Sequence, residues 1–119
     1  MQLHQLAADV FVTGQISPND LAAFAGKGIR TVVNNRPDHE GFGQPTSAEM
    51  AAAAEALGMK YVYFPVLSGG ITRENVEGFA KIRPELEGPV LLFCRSGARS
   101  TRLWELSFAI RPDNTARLR

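Results

Sequence analysis

Apolar residues in this chain fall into short, partly β-branched runs that alternate with longer stretches in which apolar side chains recur at helical spacing. Short runs bounded by turn residues are typical of buried strands. We predict strands at residues 5–8, 10–13, 29–34, 61–66 and 89–93, the first two forming a hairpin or an edge strand. We predict helices at residues 19–25, 47–57 and 100–110 and over the stretch that follows Thr72.

Capping residues support these helix boundaries. Ser17 precedes Pro18, which is the favoured order of an N-cap and a first helical residue, and Gly58 suits the end of the second helix. Strands that alternate with helices are typical of a mostly parallel sheet covered on both faces. We therefore predict one α/β domain over residues 1–110, with a central sheet of about four or five strands flanked by helices. The polar, basic segment 111–119 is predicted to be a mobile tail.

The composition is that of a globular protein and excludes several functions. Of 119 residues, 45% are hydrophobic and the formal net charge is +1, so nothing drives the chain towards nucleic acid or a membrane. We see no signal peptide and no apolar run of ~18 residues, and we expect a cytoplasmic protein. His4 and His39 are far apart and belong to no cluster of metal-binding residues, so we expect no metal and no cofactor.

The single cysteine, Cys94, directly follows the last predicted strand. An internal disulfide is excluded, and any covalent intermediate on the thiol has to pass to water or to an outside acceptor. A lone cysteine behind an apolar run is most simply a small buried side chain. The residues that follow Cys94 favour a catalytic interpretation instead.

Those residues have the composition of an anion-binding loop. Gly97 allows the backbone to curl with its amides pointing inward, and Ser100 is expected to open a helix whose free N–H groups face the same point. Arg99 adds a planar, bidentate donor for oxyanions. The same field favours a thiolate, so Cys94 is the predicted nucleophile. The predicted anion-binding residues are Arg95, Ser96, Gly97, Ala98, Arg99 and Ser100.

The loop Phe-Cys-Arg-Ser-Gly-Ala-Arg-Ser resembles the active-site loop of rhodanese sulfurtransferases, in which four residues separate the cysteine from the arginine, as they do here. Cysteine-dependent phosphatases have one residue more at that place. Rhodanese loops carry a persulfide on the cysteine, whereas the longer phosphatase loop wraps a tetrahedral phosphoryl group.

The remainder of the chain resembles a different family, the phosphatase-like domain of the beta-lactamase-hydrolase-like proteins. Four segments carry this resemblance: Val-Thr-Gly-Gln-Ile-Ser at 12–17, Val-Val-Asn-Asn-Arg-Pro-Asp at 32–38, Gly-Gln-Pro-Thr-Ser-Ala-Glu at 43–49 and Tyr-Val-Tyr-Phe-Pro-Val at 61–66. The resemblance covers about residues 3–108. It implies a cysteine-phosphatase-like fold with a rhodanese-sized loop. Members of this family occur alone or fused to persulfide dioxygenase-type domains, and some accompany sulfide:quinone oxidoreductases.

Two features favour sulfur transfer over phosphate hydrolysis. Phosphatases of this fold use an aspartic acid to protonate the leaving oxygen, and the family pattern implies it just after the strand at 61–66, where this chain has Leu67-Ser68-Gly69-Gly70. A persulfide sulfur passes between thiolates without such an acid, and the loop has the rhodanese length. We therefore expect a sulfurtransferase that moves sulfur from thiosulfate or a persulfide through Cys94 to an external thiol, in association with a persulfide dioxygenase or a sulfide:quinone oxidoreductase.

Two alternatives remain. One is a protein-tyrosine or dual-specificity-type phosphatase, in which Asp38 replaces the missing acid, although Asp38 is also a common turn residue after proline. The other is a non-catalytic module that binds an anion or a phosphoprotein. Several flanking residues have two interpretations as well. Arg95 either selects donors or is a solvated loop residue. Asn34, Asn35 and Arg36 either face the site, or the two asparagines tie their loop to the backbone.

Overall fold

The computed structural model describes residues 3–110, which form a five-stranded sheet with helices on both faces. The order across the sheet is β1-β2-β5-β3-β4, and only the pair β1–β2 is antiparallel. The strands are β1 (His4–Ala7), β2 (Val10–Thr13), β3 (Thr31–Asn34), β4 (Lys60–Tyr63) and β5 (Val90–Phe93). The predicted α/β fold and its mostly parallel sheet are confirmed, while the predicted tail at 111–119 lies outside the described residues.

The central strand β5 brings the carboxyl ends of three strands together. Phe93 lies beside Thr13 of β2 on one side and beside Asn34 of β3 on the other. All four residues of β5 and of β3 are buried, as expected of strands covered on both faces. Ligands bind beyond the carboxyl ends of the strands in such sheets. Cys94 follows Phe93 at this edge.

Side chains alternate along β5 between two core layers. Leu91 and Phe93 pack with Phe24 and Met50 on one face, whereas Leu92 packs on the other face. The first layer is covered by α1 (Leu21–Gly26) and α2 (Ser47–Ala56), and the second by α3 (Arg73–Ile82) and α4 (Ala98–Ser107). The sheet is therefore held rigidly between helices, which fixes the strand ends that carry the site.

Several predicted boundaries shift. Strand β4 ends at Tyr63 rather than at residue 66, although the amides of Phe64 and Val66 still bond to the carbonyls of Asn34 and Asn35. Pro65 interrupts the strand because it has no N–H group. Ser17 caps a short 3-10 turn, Pro18–Asp20, which leads into α1. Within residues 3–110 no helix is long and apolar enough to cross a membrane.

Candidate active site

The turn after β5 holds the Cys94 thiol at the floor of the candidate site. Cys94 is only 1% exposed, and the amide of Gly97 donates to its Sγ over 3.1 Å. Gly97 has φ 95° and is the N-cap of α4, which begins at Ala98 and not at Ser100 as predicted. A residue with a Cβ is disfavoured at this φ, and the Cβ would also approach the Thr13 carbonyl to 3.4 Å. The glycine therefore lets the loop fold tightly over the sulfur.

The loop activates the thiol despite its burial. Burial by itself raises the pKa of Cys94, but the amide and hydroxyl of Ser100, together with the amides of Gly97 and Ser96, favour the thiolate and bring the pKa below its usual value. The donors come from the first turn of α4 and from the loop before it, where backbone N–H groups lack partners within the helix. The sequence-based expectation of an anion-favouring environment around the sulfur agrees with this arrangement.

The hydroxyl of Ser100 has a second acceptor. Its Oγ donates to Oδ1 of Asn35 over 2.8 Å, and both residues are completely buried. The amide group of Asn35 cannot turn freely, since its Nδ2 donates to the Phe64 carbonyl over 2.8 Å. A hydroxyl has one proton to donate, so Ser100 serves either Asn35 or the Cys94 thiolate at any moment. Asn35, which follows β3, is thus joined to the first turn of α4 beside the nucleophile.

Arg99 is fixed beside the thiol loop by a carboxylate that sequence reasoning missed. Its Nη1 lies 3.0 Å from Oε2 of Glu40, its Nη2 lies 3.0 Å from Oε1, and Nη1 also donates to the Val66 carbonyl over 2.9 Å. The side chain of Arg99 is 10% exposed and that of Glu40 is 20% exposed. The sequence singles out Asn35, Arg36 and Asp38 in the loop over residues 35–45, but nothing local marks Glu40 as a partner of a residue far along the chain.

The ion pair leaves one edge of the Arg99 guanidinium available. A guanidinium has five N–H donors, of which three have partners among the described residues. The Nε–H and the second Nη2 hydrogen remain, and they lie side by side on one edge. Such an edge binds two oxygens of a phosphoryl group. Glu40 therefore orients Arg99 without occupying the edge that an oxyanion would use.

Arg36 and Gln15 complete this network. The Nε of Arg36 donates to Oε1 of Glu40 over 2.9 Å, and its Nη1 donates to Oε1 of Gln15 over 3.0 Å. The backbone N–H of Gln15 in turn donates to the carbonyl of Arg95 over 3.1 Å. The hydrogen bond from Arg99 is the main cause that lowers the pKa of Glu40; burial partly opposes it, and Arg36 lowers it further. Glu40 is thus held as an anion between two arginines.

Asp38 serves another purpose in this structure. Its Oδ1 accepts from the amide of Ser47 over 2.7 Å at the start of α2, and its own amide donates to the hydroxyl of Tyr63 over 2.9 Å. A carboxylate at the start of a helix accepts a hydrogen bond from a free N–H group and interacts favourably with the positive end of the helix dipole. Asp38 lines neither of the two cavities that reach Arg99. Asp38 therefore anchors the start of α2.

Two neighbouring cavities meet at Arg99. One, of about 420 Å³, reaches Cys94, Arg95, Ser96, Ala98 and Arg99 of the loop, so four of the six predicted anion-binding residues are brought together around it. Gly97 lines a different cavity and Ser100 is buried behind the loop. The other, of about 470 Å³, is lined by Arg36, Glu40, Phe42 and Ser68. Among residues 3–110, no group of three histidine, cysteine, aspartate or glutamate side chains is arranged to hold a metal ion.

Comparison with known proteins identifies the family to which this architecture belongs. The family model described as "Beta-lactamase hydrolase-like protein, phosphatase-like domain" matches residues 2–111. The chain therefore belongs to the phosphatase-like domain family of the beta-lactamase hydrolase-like proteins. It is 33% identical over 110 residues to the beta-lactamase hydrolase-like protein of Xylella fastidiosa strain Temecula1, covering 92% of this chain. It spans 26% of the length of that relative, about a quarter.

Solved structures support the same assignment. A candidate phosphatase from Neisseria meningitidis is 33% identical, with a TM-score of 0.77, and the match covers 84% of this chain and 71% of that one. The P. aeruginosa protein TpbA, solved as a C132S variant with pTyr, is 18% identical with a TM-score of 0.57, over 80% of this chain and 54% of its own. This second likeness shows the fold alone.

These findings correct the predicted activity. The expectation of a rhodanese-type sulfurtransferase is wrong, because the family model over residues 2–111 is that of a phosphatase-like domain and a solved structure that is 33% identical is described as a candidate phosphatase. Loop length misled the prediction: with one residue fewer, the turn still directs N–H groups at the sulfur and still places Arg99 beside it. The absence of an aspartate after β4 is likewise a feature of a single loop. The carboxylate that pairs with Arg99 is that of Glu40, which belongs to the loop after β3. The association with a persulfide dioxygenase or a sulfide:quinone oxidoreductase stays a prediction.

Proposed function

We propose that this chain is a cysteine-dependent phosphatase that hydrolyses phosphate monoesters through a phosphocysteine on Cys94. The observation that carries the proposal is the joint placement of a thiol with a lowered pKa and an oriented arginine on one cavity. Membership of a phosphatase-like family agrees with it. A thiolate beside donors for oxyanions is an activated nucleophile for a substrate that is itself an anion.

In the first step the Cys94 thiolate attacks phosphorus in line with the ester oxygen. An S–P bond forms, the P–O bond breaks, and its electron pair leaves with the alcohol oxygen. The free edge of Arg99 and the amides of the loop bind the equatorial oxygens, where charge is spread in the transition state. Glu40 holds Arg99 in place, which makes it a positioning residue. The side chain of Arg99 is thus oriented for phosphate binding before the substrate arrives.

In the second step water attacks phosphorus, the P–S bond breaks, and inorganic phosphate leaves while the thiolate is restored. The sulfur is the leaving group here, so the donors around it, in particular the Ser100 hydroxyl and the Gly97 amide, stabilise the returning negative charge. Ser100 can turn from Asn35 towards the sulfur when that charge develops. No second thiol is needed, which agrees with the single cysteine of the chain.

The decisive test combines turnover with trapping of the intermediate. Hydrolysis of 4-nitrophenyl phosphate should require Cys94, and intact mass after acid quenching should show one added phosphoryl group that is absent from Cys94→Ser. Arg99→Lys should keep some activity and Arg99→Ala less, because lysine keeps the charge but loses the planar fork. Phosphate binding without turnover by the wild-type protein would instead make the domain a non-catalytic binding module.

A further inference from the structure

The cavity above Cys94 is lined by three basic side chains. Arg95, Arg99 and Arg102 line it together with Ser68 and Ser96, and no aspartate or glutamate of residues 3–110 does so. A cavity with this lining attracts a substrate with more negative charge than one phosphoryl group carries, because Arg99 and the loop amides already serve that group.

Two of these arginines are uncommitted. Arg95 and Arg102 are exposed, and neither forms an ion pair within the part of the chain that the structure describes. Arg99, in contrast, is engaged with Glu40. Arg102 lies three residues after Arg99 in α4, which places both on the same face of the helix. Arg95 follows Cys94 directly, so the two free guanidinium groups lie at the margin of the cavity that contains the nucleophile.

Among residues 3–110, no aspartate, glutamate or histidine that could protonate a leaving oxygen lines the same cavity. Arginine does not release its proton in proteins. Glu40 is kept ionised by Arg99 and Arg36, and Asp38 is engaged at the start of α2. An alkoxide is a poor leaving group without general acid catalysis. A leaving group that departs as a stable anion needs no proton, and it would meet the free arginines as it forms.

We propose that the substrate is a phosphoanhydride, in which the leaving group is itself a phosphate, and that Arg95 and Arg102 bind this second phosphate. This inference rests on the proposed phosphatase activity. The Cys94 thiolate attacks the terminal phosphorus, an S–P bond forms and the bond to the bridging oxygen breaks. The electron pair stays on that oxygen, which leaves as part of a phosphate monoester. Water then cleaves the P–S bond and inorganic phosphate departs.

The test compares ADP with AMP as matched probes, since they share the nucleoside and differ in presenting a phosphoanhydride or an ester. We expect kcat/KM for release of phosphate to be at least about tenfold higher for ADP, the gain from one or two charge-assisted hydrogen bonds and an acidic leaving group. Arg95→Met and Arg102→Met should each reduce that ratio severalfold, and together they should reduce it to the part that the more acidic leaving group contributes by itself. Arg30→Met, which removes one charge next to the opposite end of β3, should leave the ratio unchanged.

A second measurement examines the leaving group alone. Across aryl and alkyl phosphates, from 4-nitrophenyl to phenyl to benzyl, the rate should fall steeply as the leaving group becomes less acidic. A shallow dependence on leaving-group acidity, or equal kcat/KM for ADP and AMP in the wild-type protein, would overturn the phosphoanhydride proposal. Cys94-dependent turnover of 4-nitrophenyl phosphate would still support the phosphatase activity in that case. Absence of Cys94-dependent release from every probe would overturn both.

Discussion

Glu40 and Arg99 form a two-point ion pair across 59 residues of sequence, with both nitrogen–oxygen distances at 3.0 Å. The pair joins the loop after β3 to the first turn of α4. It turns a flexible cationic side chain into a fixed donor, because a guanidinium held at one edge presents the other edge in a defined direction. Glu40, a residue outside the cysteine loop, thereby orients Arg99 for binding an oxyanion.

Replacement of Glu40 by glutamine should therefore weaken catalysis without removing the nucleophile. The amide keeps the shape but loses the charge that holds Arg99 and Arg36 together, so we expect kcat/KM for 4-nitrophenyl phosphate to fall about tenfold or more. Steady-state kinetics measure this, and Glu74→Gln, at the exposed start of α3, is the matched control. Kinetic constants equal to those of the control would remove the positioning role of Glu40.

The lowered pKa of Cys94 sets the pH dependence of its reactivity. The thiolate is the reactive form, so the rate of alkylation by iodoacetamide should stay high below the usual thiol pKa and fall as the pH drops through the lowered value. Because the pKa is lower in the folded state, the associated stability is fully present above the usual value and is lost as the pH falls through the lowered one. An alkylation profile like that of a free thiol would contradict the assignment of the donors.

Ser100→Ala tests the shared hydroxyl. The change removes a donor to the sulfur, so the alkylation profile should move to higher pH. It also leaves Oδ1 of the buried Asn35 without a hydrogen bond, which should cost about 1–3 kcal/mol in the free energy of unfolding. Urea titration measures the second effect. A shift in the alkylation profile with unchanged stability would show that Asn35 does not depend on the serine.

Asp38 should matter for stability more than for chemistry. Asp38→Ala removes the acceptor of the Ser47 amide, and we expect a loss of about 1 kcal/mol, as for other helix N-terminal acceptors. The kcat for phenyl phosphate, a substrate that benefits from a general acid, should remain within about twofold of the wild-type value, a change of less than half a kcal/mol in barrier. A collapse of that kcat with phenyl phosphate but not with 4-nitrophenyl phosphate would restore Asp38 as the acid.

Gly97→Ala should distort the nucleophile loop. At φ 95° a residue with a Cβ costs about 1–2 kcal/mol, and here the Cβ also meets the Thr13 carbonyl at 3.4 Å. We expect lower stability and a loss of turnover, measured by urea titration and 4-nitrophenyl phosphate hydrolysis. Gly26→Ala is the control, because no atom lies within 4 Å of its added Cβ and its φ is not positive. Equal effects of both changes would mean that the loop tolerates a side chain.

The cysteine loop could be predicted from the sequence because its determinants are local. An apolar strand, a cysteine, a glycine and an arginine within a few residues define both its position and its chemistry. The same holds for Ser17 and Thr72, which cap helices as capping residues do in general. Strand order was less accessible, since it depends on pairings such as Phe93 with Asn34 across the sheet.

Glu40 and Gln15 could not be predicted for the same reason. Their roles arise only when the loop after β3 folds over α4, and no spacing in the sequence encodes that contact. The predicted activity is wrong because loop length and one absent aspartate indicate the reaction less reliably than the fold of the whole chain does. Both are features of single loops, whereas the fold is specified by many independent core positions on both faces of the sheet.

A thiolate stabilised by the loop and unaccompanied by another cysteine in this chain has a consequence for oxidation. Peroxide converts such a thiolate to a sulfenic acid, and a neighbouring thiol would normally capture that species as a disulfide. Here capture depends on an external thiol such as glutathione, and without one the sulfur proceeds to the sulfinic acid, which that thiol does not reverse. The concentration of reduced thiol in the surrounding solution therefore determines whether a brief exposure to peroxide inactivates Cys94 reversibly or irreversibly.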